Sequence, residues 1–113
     1  MNSLRNFNII PTEKFKKQAK RLVRKYPSLK QELHQLSEIL CTNPALGTDL
    51  GNNTYKIRIA IKSKKSGKRG GARIITYLVT DEMTVFLLTI YDKTDFDNIS
   101  DKQIARIIKE IRG

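Results

Sequence analysis

The chain has 113 residues, one domain's worth, and dividing it would leave pieces too small to bury a core. Lysine and arginine number 22 against 11 acids, giving a formal net charge of +11, and 39% hydrophobic residues mark a globular rather than a disordered chain. No stretch approaches the ~18 apolar residues of a membrane span, the single cysteine, Cys41, excludes an internal disulfide, and the single histidine excludes a histidine-rich metal site. Arg5 is followed by no apolar run, so no signal peptide is expected. These features together predict one cytoplasmic domain over residues 1–113, with no membrane association.

Residues 7–10 alternate weakly and predict a short strand. Pro11 and Thr12 then open a helix whose apolar face is Phe15, Ala19, Leu22, Val23 and Tyr26, with lysines and arginines opposite. Pro27 ends it, because the residue before a proline is pushed out of the α region. Ser28-x-x-Gln31 reads as a capping box for a second helix, with Leu29, Leu33, Leu36, Ile39 and Leu40 on one face. The short break between the helices predicts a hairpin.

Residues 43–53, rich in Pro, Gly, Asn and Thr, predict a loop. Residues 55–61 alternate with period two: the odd positions are apolar and face the helices, while Lys56, Arg58 and Lys62 project from the other side. A basic, glycine-containing turn over 63–71 follows, then strands over 72–79 and 84–91 joined by a turn at Thr80-Asp81-Glu82-Met83. After an acidic loop over 92–99, Ser100-x-x-Gln103 caps a last helix with Ile104, Ile107, Ile108 and Ile111 on one face. The order β-α-α-β-β-β-α predicts an α+β fold with a mainly antiparallel sheet.

The charge of +11 favours an anionic partner. Lys14, Lys16, Lys17, Lys20, Arg21, Arg24, Lys25 and Lys30 form one block without an acid, and its helical setting suits a solvated face. The second block, from Lys56 to Arg73, lies on strands and a glycine-rich loop that can converge. Gly67-Lys68-Arg69-Gly70-Gly71 lacks the spacing and the following helix of a P-loop. Asp92, Asp95, Asp97 and Asp101 would suit Mg²⁺, but loop solubility and capping of the last helix explain them more simply. His34 reads as a surface or partly packed side chain, and Cys41 as a small, half-buried one. No metal or cofactor is expected.

If Arg73 and Tyr91 share the sheet face of Lys56 and Arg58, a patch of cations and a phenol results. Strand parity permits this, but the register is not readable from sequence. Such a patch binds phosphate bidentately through arginine and can stack a base on Tyr91. The competing readings pair Arg73 with Asp92 and leave Tyr91 as a cap on the core.

These residues resemble a known family. Tyr55-Lys56-Ile57-Arg58-Ile59, Gly70-Gly71-Ala72-Arg73-Ile74-Ile75-Thr76-Tyr77, Val85-Phe86-Leu87-Leu88-Thr89-Ile90-Tyr91-Asp92-Lys93 and Asn98-Ile99-Ser100 are similar to the RelE/ParE toxin superfamily, and most to the RelE/HigB-type mRNA interferases of type II toxin–antitoxin systems. The resemblance spans roughly residues 5–112. It implies a small α+β fold, a helical hairpin against the sheet, and a cognate antitoxin, which would also carry any contact with operator DNA. It implies ribosome-dependent, metal-independent cleavage of mRNA, in which a 2′-hydroxyl attacks the adjacent phosphate. Carried over to this sequence, Lys56, Arg58, Arg73, Tyr91 and Lys93 are the catalytic candidates. Lys62, Lys64, Lys65, Lys68 and Arg69 are the candidates for gripping RNA or the ribosome.

Arg73 is the expected transition-state clamp, and Lys56, Lys68 or Lys93 the expected base or acid. The last strand carries no histidine and the phenol nearest the last helix is Tyr91, so the general base stays open. Two other readings remain: a ParE-like inhibitor of DNA gyrase, and an RNA-binding module without catalysis.

Overall fold

Three strands of alternating or largely apolar sequence form the centre of a five-stranded sheet, and two short strands flank them. The computed structural model describes residues 6–64, 70–95 and 98–112. In chain order the elements are β1 (Asn8–Pro11), α1 (Glu13–Lys25), α2 (Leu29–Thr42), β2 (Thr48–Gly51), β3 (Thr54–Ile59), β4 (Ala72–Val79), β5 (Thr84–Asp92) and α3 (Asp101–Arg112). The strand order is β1-β5-β4-β3-β2. β1 runs parallel to β5 and the other pairs are antiparallel, so the expected α+β fold is built on a mixed sheet.

The two sheet faces carry separate cores. On one, Ile57, Ala72, Ile74, Leu87 and Ile90 pack against Phe15 and Leu22 of α1 and Leu29, Leu36 and Leu40 of α2. On the other, Ile75, Leu88 and Tyr91 pack against Ile104 and Ile107 of α3, with Tyr77 and Phe86 stacked beside them. Arg112 of α3 forks onto Glu82 at 2.9 and 3.0 Å, which ties the end of α3 to the β4–β5 turn. Both partners are exposed, so this tether adds little to stability.

The structure revises the sequence reading in four places. The 43–53 segment is not all loop: Thr48–Gly51 pairs with β3. Asn52 and Asn53 both have positive φ, 53° and 63°, the backbone that a tight two-residue hairpin turn requires. Ser28 does not cap α2, because its own backbone is helical (φ −66°, ψ −19°). Its hydroxyl donates to Glu32 and accepts from the Ser63 amide. Lys62 lies past the end of β3 in a short 3₁₀ turn, Lys62–Lys64, with its amide donating to Glu32 at 2.8 Å, rather than on the strand face beside Arg58. Ile39, expected in the helical core, is 49% exposed.

Thr12 joins helix to sheet. Its Oγ1 accepts from the Phe15 amide at 3.0 Å, the N-cap bond of α1, and donates to the Leu88 carbonyl at 2.9 Å. Both bonds are buried, so Thr12→Ala should cost about 1–2 kcal/mol in urea unfolding. A variant as stable as the parent would show that the helix start is held by packing alone.

Candidate functional site

Strand register brings the candidate residues together. Arg58 pairs with Arg73 across β3 and β4, and Arg73 pairs with Tyr91 across β4 and β5, so the three form one rung. Ile57, Ala72, Ile74 and Ile90 on the flanking rungs face the helical hairpin. Alternation therefore sends Arg58, Arg73 and Tyr91 to the opposite face. Lys56 lies on that face two residues before Arg58, and Lys93 follows the end of β5.

Lys56, Arg58, Arg73, Lys93 and Asn98 line one open cleft of about 320 Å³. Asn98 did not emerge as a site residue from the sequence. It accepts from Lys56 Nζ at 3.2 Å and so links the segment before α3 to the cleft. The site also depends on Gly71: a Cβ there would lie 1.9 Å from the Ile59 carbonyl oxygen. Only glycine lets the end of β3 and the start of β4 approach this closely.

Arg73 is the most buried of these cations, at 4% exposure. Burial lowers its pKa, Arg58 lowers it further by like-charge repulsion, and Tyr91 acts in the opposite sense. The guanidinium stays charged at any physiological pH. An anion entering the cleft would relieve the repulsion between the paired arginines, so the geometry favours a phosphate-like ligand. Tyr91 lies beside Arg73 on the same rung, covered by α3 at 2% exposure, among Ile75, Leu88, Ile104 and Ile107. Its ring is therefore part of the core and not an open stacking platform. Burial raises its phenol pKa, with Arg73 pulling it back.

A model of the RelE toxin of the RelE/RelB toxin–antitoxin system matches residues 7–111. The chain belongs to the RelE toxin family. It is a toxin of the toxin–antitoxin type. Its fold is similar to that of an arginine-to-alanine double mutant of E. coli RelE in the free state. That likeness has a TM-score of 0.58 and 16% identity over 94% of this chain and 98% of that one. It is also similar to the isolated E. coli RelE toxin, with a TM-score of 0.54 and 16% identity over 93% and 98%. At that identity the likeness is one of fold. Among the described residues no helix is long and apolar enough to cross a membrane.

The remaining candidates of this RelE-family chain are placed differently. Lys64, expected to grip RNA, is 12% exposed and ion-paired with Asp92, whose side chain is 1% exposed. Its ammonium also sits 5.4 Å from the centre of the Tyr26 ring. Lys62 is exposed on its 3₁₀ turn. Lys65, Lys68, Arg69 and Asp97 lie outside the described residues. Asp92 faces the hairpin, where it accepts from Tyr26 Oη at 3.1 Å and from the Thr94 amide at 3.0 Å. Asp95 pairs with Arg21 at 3.7 Å. Among the described residues no three His, Cys, Asp or Glu side chains are grouped to hold a metal. His34 is an exposed side chain 3.6 Å from Glu38.

Burial pushes the Asp92 carboxyl up, but its bonds from Lys64, Thr94 and Tyr26 outweigh that and hold it at about 2, against an ordinary 3.8. A carboxyl with a depressed folded pKa adds stability above its unfolded pKa and loses it as pH falls through the folded one. Asp92 should therefore supply about 2 kcal/mol above roughly pH 4, draining away toward about pH 2. Urea unfolding followed across that window should show a shallower acid limb for Asp92→Asn than for the parent. Parallel limbs would contradict this.

Proposed function

We propose that this RelE-family toxin is a ribosome-dependent endoribonuclease that cuts mRNA in the cytoplasm. The observation that carries the reading is the Arg58–Arg73 rung opening, with Lys56 and Lys93, onto a single cleft. The 2′-oxygen attacks the adjacent phosphorus and the bond to the 5′-oxygen breaks. One proton leaves the 2′-hydroxyl and another reaches the departing 5′-oxygen, leaving a 2′,3′-cyclic phosphate that water then opens to a 3′-phosphate. Arg73 binds two phosphate oxygens as charge builds on them. Arg58 adds to the field. Lys56 and Lys93 flank the phosphate as the proton-transfer groups. Tyr91, its phenol pKa raised by burial, stays protonated near neutral pH beside Arg73 on the same rung. Alignment of the RNA by the ribosome supplies much of the remaining rate, since orientation alone is worth ~7–11 kcal/mol.

A cationic cleft of this kind calls for a cognate antitoxin. We expect an acidic, partly disordered segment that folds over the basic face or displaces α3, with operator DNA reached only through that partner.

Arg73→Ala should lower the ribosome-dependent cleavage rate by about 10²–10³-fold and abolish growth arrest, with circular dichroism showing a native fold. Arg73→Lys should recover little, because an ammonium lacks the guanidinium fork. A folded Arg73→Ala protein that arrests growth like the parent would contradict the assignment. Lost supercoiling with intact mRNA would point instead to gyrase.

A further inference from the structure

Asp92 is buried, charged and next to the cleft in sequence, yet its carboxylate faces away from it. Its surroundings show what it holds. Oδ1 accepts from the Thr94 amide at 3.0 Å, and the Asp92 carbonyl accepts from the Asp95 amide at 2.9 Å. These bonds close a turn over 92–95, with aspartate at the position where its side chain can bond the backbone two residues on. Lys93 occupies the second position of that turn and lines the cleft. Its amide donates to the Gly71 carbonyl at 3.3 Å, fixing it beside the start of β4, two residues from Arg73. The buried carboxylate is compensated from the hairpin side by Lys64 and Tyr26.

We propose that Asp92 is a positioning residue: its turn holds the backbone of Lys93 so that the ammonium reaches the cleft that binds the phosphate. This rests on the cleft being the site of cleavage. Lys64 and Tyr26 then serve the turn by making a buried carboxylate tolerable there. An aspartate that merely packs the core would affect stability without acting through Lys93.

The test compares Asp92→Asn with Asp92→Ala, each combined with Lys64→Met so that no lone charge is left buried. Asparagine keeps an oxygen for the Thr94 amide and alanine does not. On translating ribosomes the alanine protein should cleave roughly 10- to 100-fold more slowly at saturation than the asparagine protein, with the half-saturating ribosome concentration unchanged. Adding Lys93→Ala to both should erase that difference, because the coupling runs through Lys93. Equal rates for alanine and asparagine, or an undiminished difference without Lys93, would overturn the inference. Should the alanine protein not fold, amide exchange in the parent decides. The Thr94 and Asp95 amides must exchange slowly, and fast exchange refutes the turn. If the parent does not cleave mRNA at all, the proposed function fails instead. The inference is then judged by the same variants' affinity for a 2′-deoxy trinucleotide.

Discussion

One extra residue in β5 decides which side chains meet. Ile75 of β4 pairs with Thr89, but its neighbour Thr76 pairs with Leu87, so Leu88 is the surplus residue of a bulge. Before the bulge Leu87 faces the helical hairpin; beyond it Ile90 does, three positions later rather than two. In an unbroken strand Tyr91 would share the face of Leu87. The bulge turns it to the other face, opposite Arg73, and turns Asp92 toward the hairpin. Bulges are frequent beside functional sites because they re-aim side chains in this way.

The sheet consequently separates charges that lie side by side in sequence. Lys93 belongs to the cleft, whereas Asp92 sits behind the sheet, where Lys64 neutralises it and Tyr26 donates a hydrogen bond to it. Were the carboxylate in front, it would cancel part of the field that Arg58 and Arg73 create. Its place at the back leaves the front face positive while still fixing the end of β5. The outer side of α1 carries its own exposed lysines and arginines.

Much of this was legible in the sequence, for identifiable reasons. The apolar faces of α1 and α3 follow a clean helical period. The Ser100 capping box forms as expected, with Ser100 and Gln103 bonded reciprocally at 2.9 and 3.1 Å. The alternation of β3 placed Lys56 and Arg58 on the face away from the hairpin. β5 hid its parity because Leu87 and Leu88 are both buried, one in each core, so no polar side marks the bulge. β2 was missed because Thr-Asp-Leu-Gly has no alternation of its own, although Asn52-Asn53 was a usable hairpin signal. Asn98 and the Lys64–Asp92 pair arise from contacts between segments far apart in sequence, which no local pattern encodes.

The central claim is that the cleft cleaves RNA held on a ribosome. Primer extension on a defined mRNA in a cell-free translation reaction tests it most directly, with naked mRNA as the control. The account predicts new 5′ ends in reading-frame register that require both the toxin and translating ribosomes. Intact mRNA in the presence of folded, active-concentration toxin would contradict it.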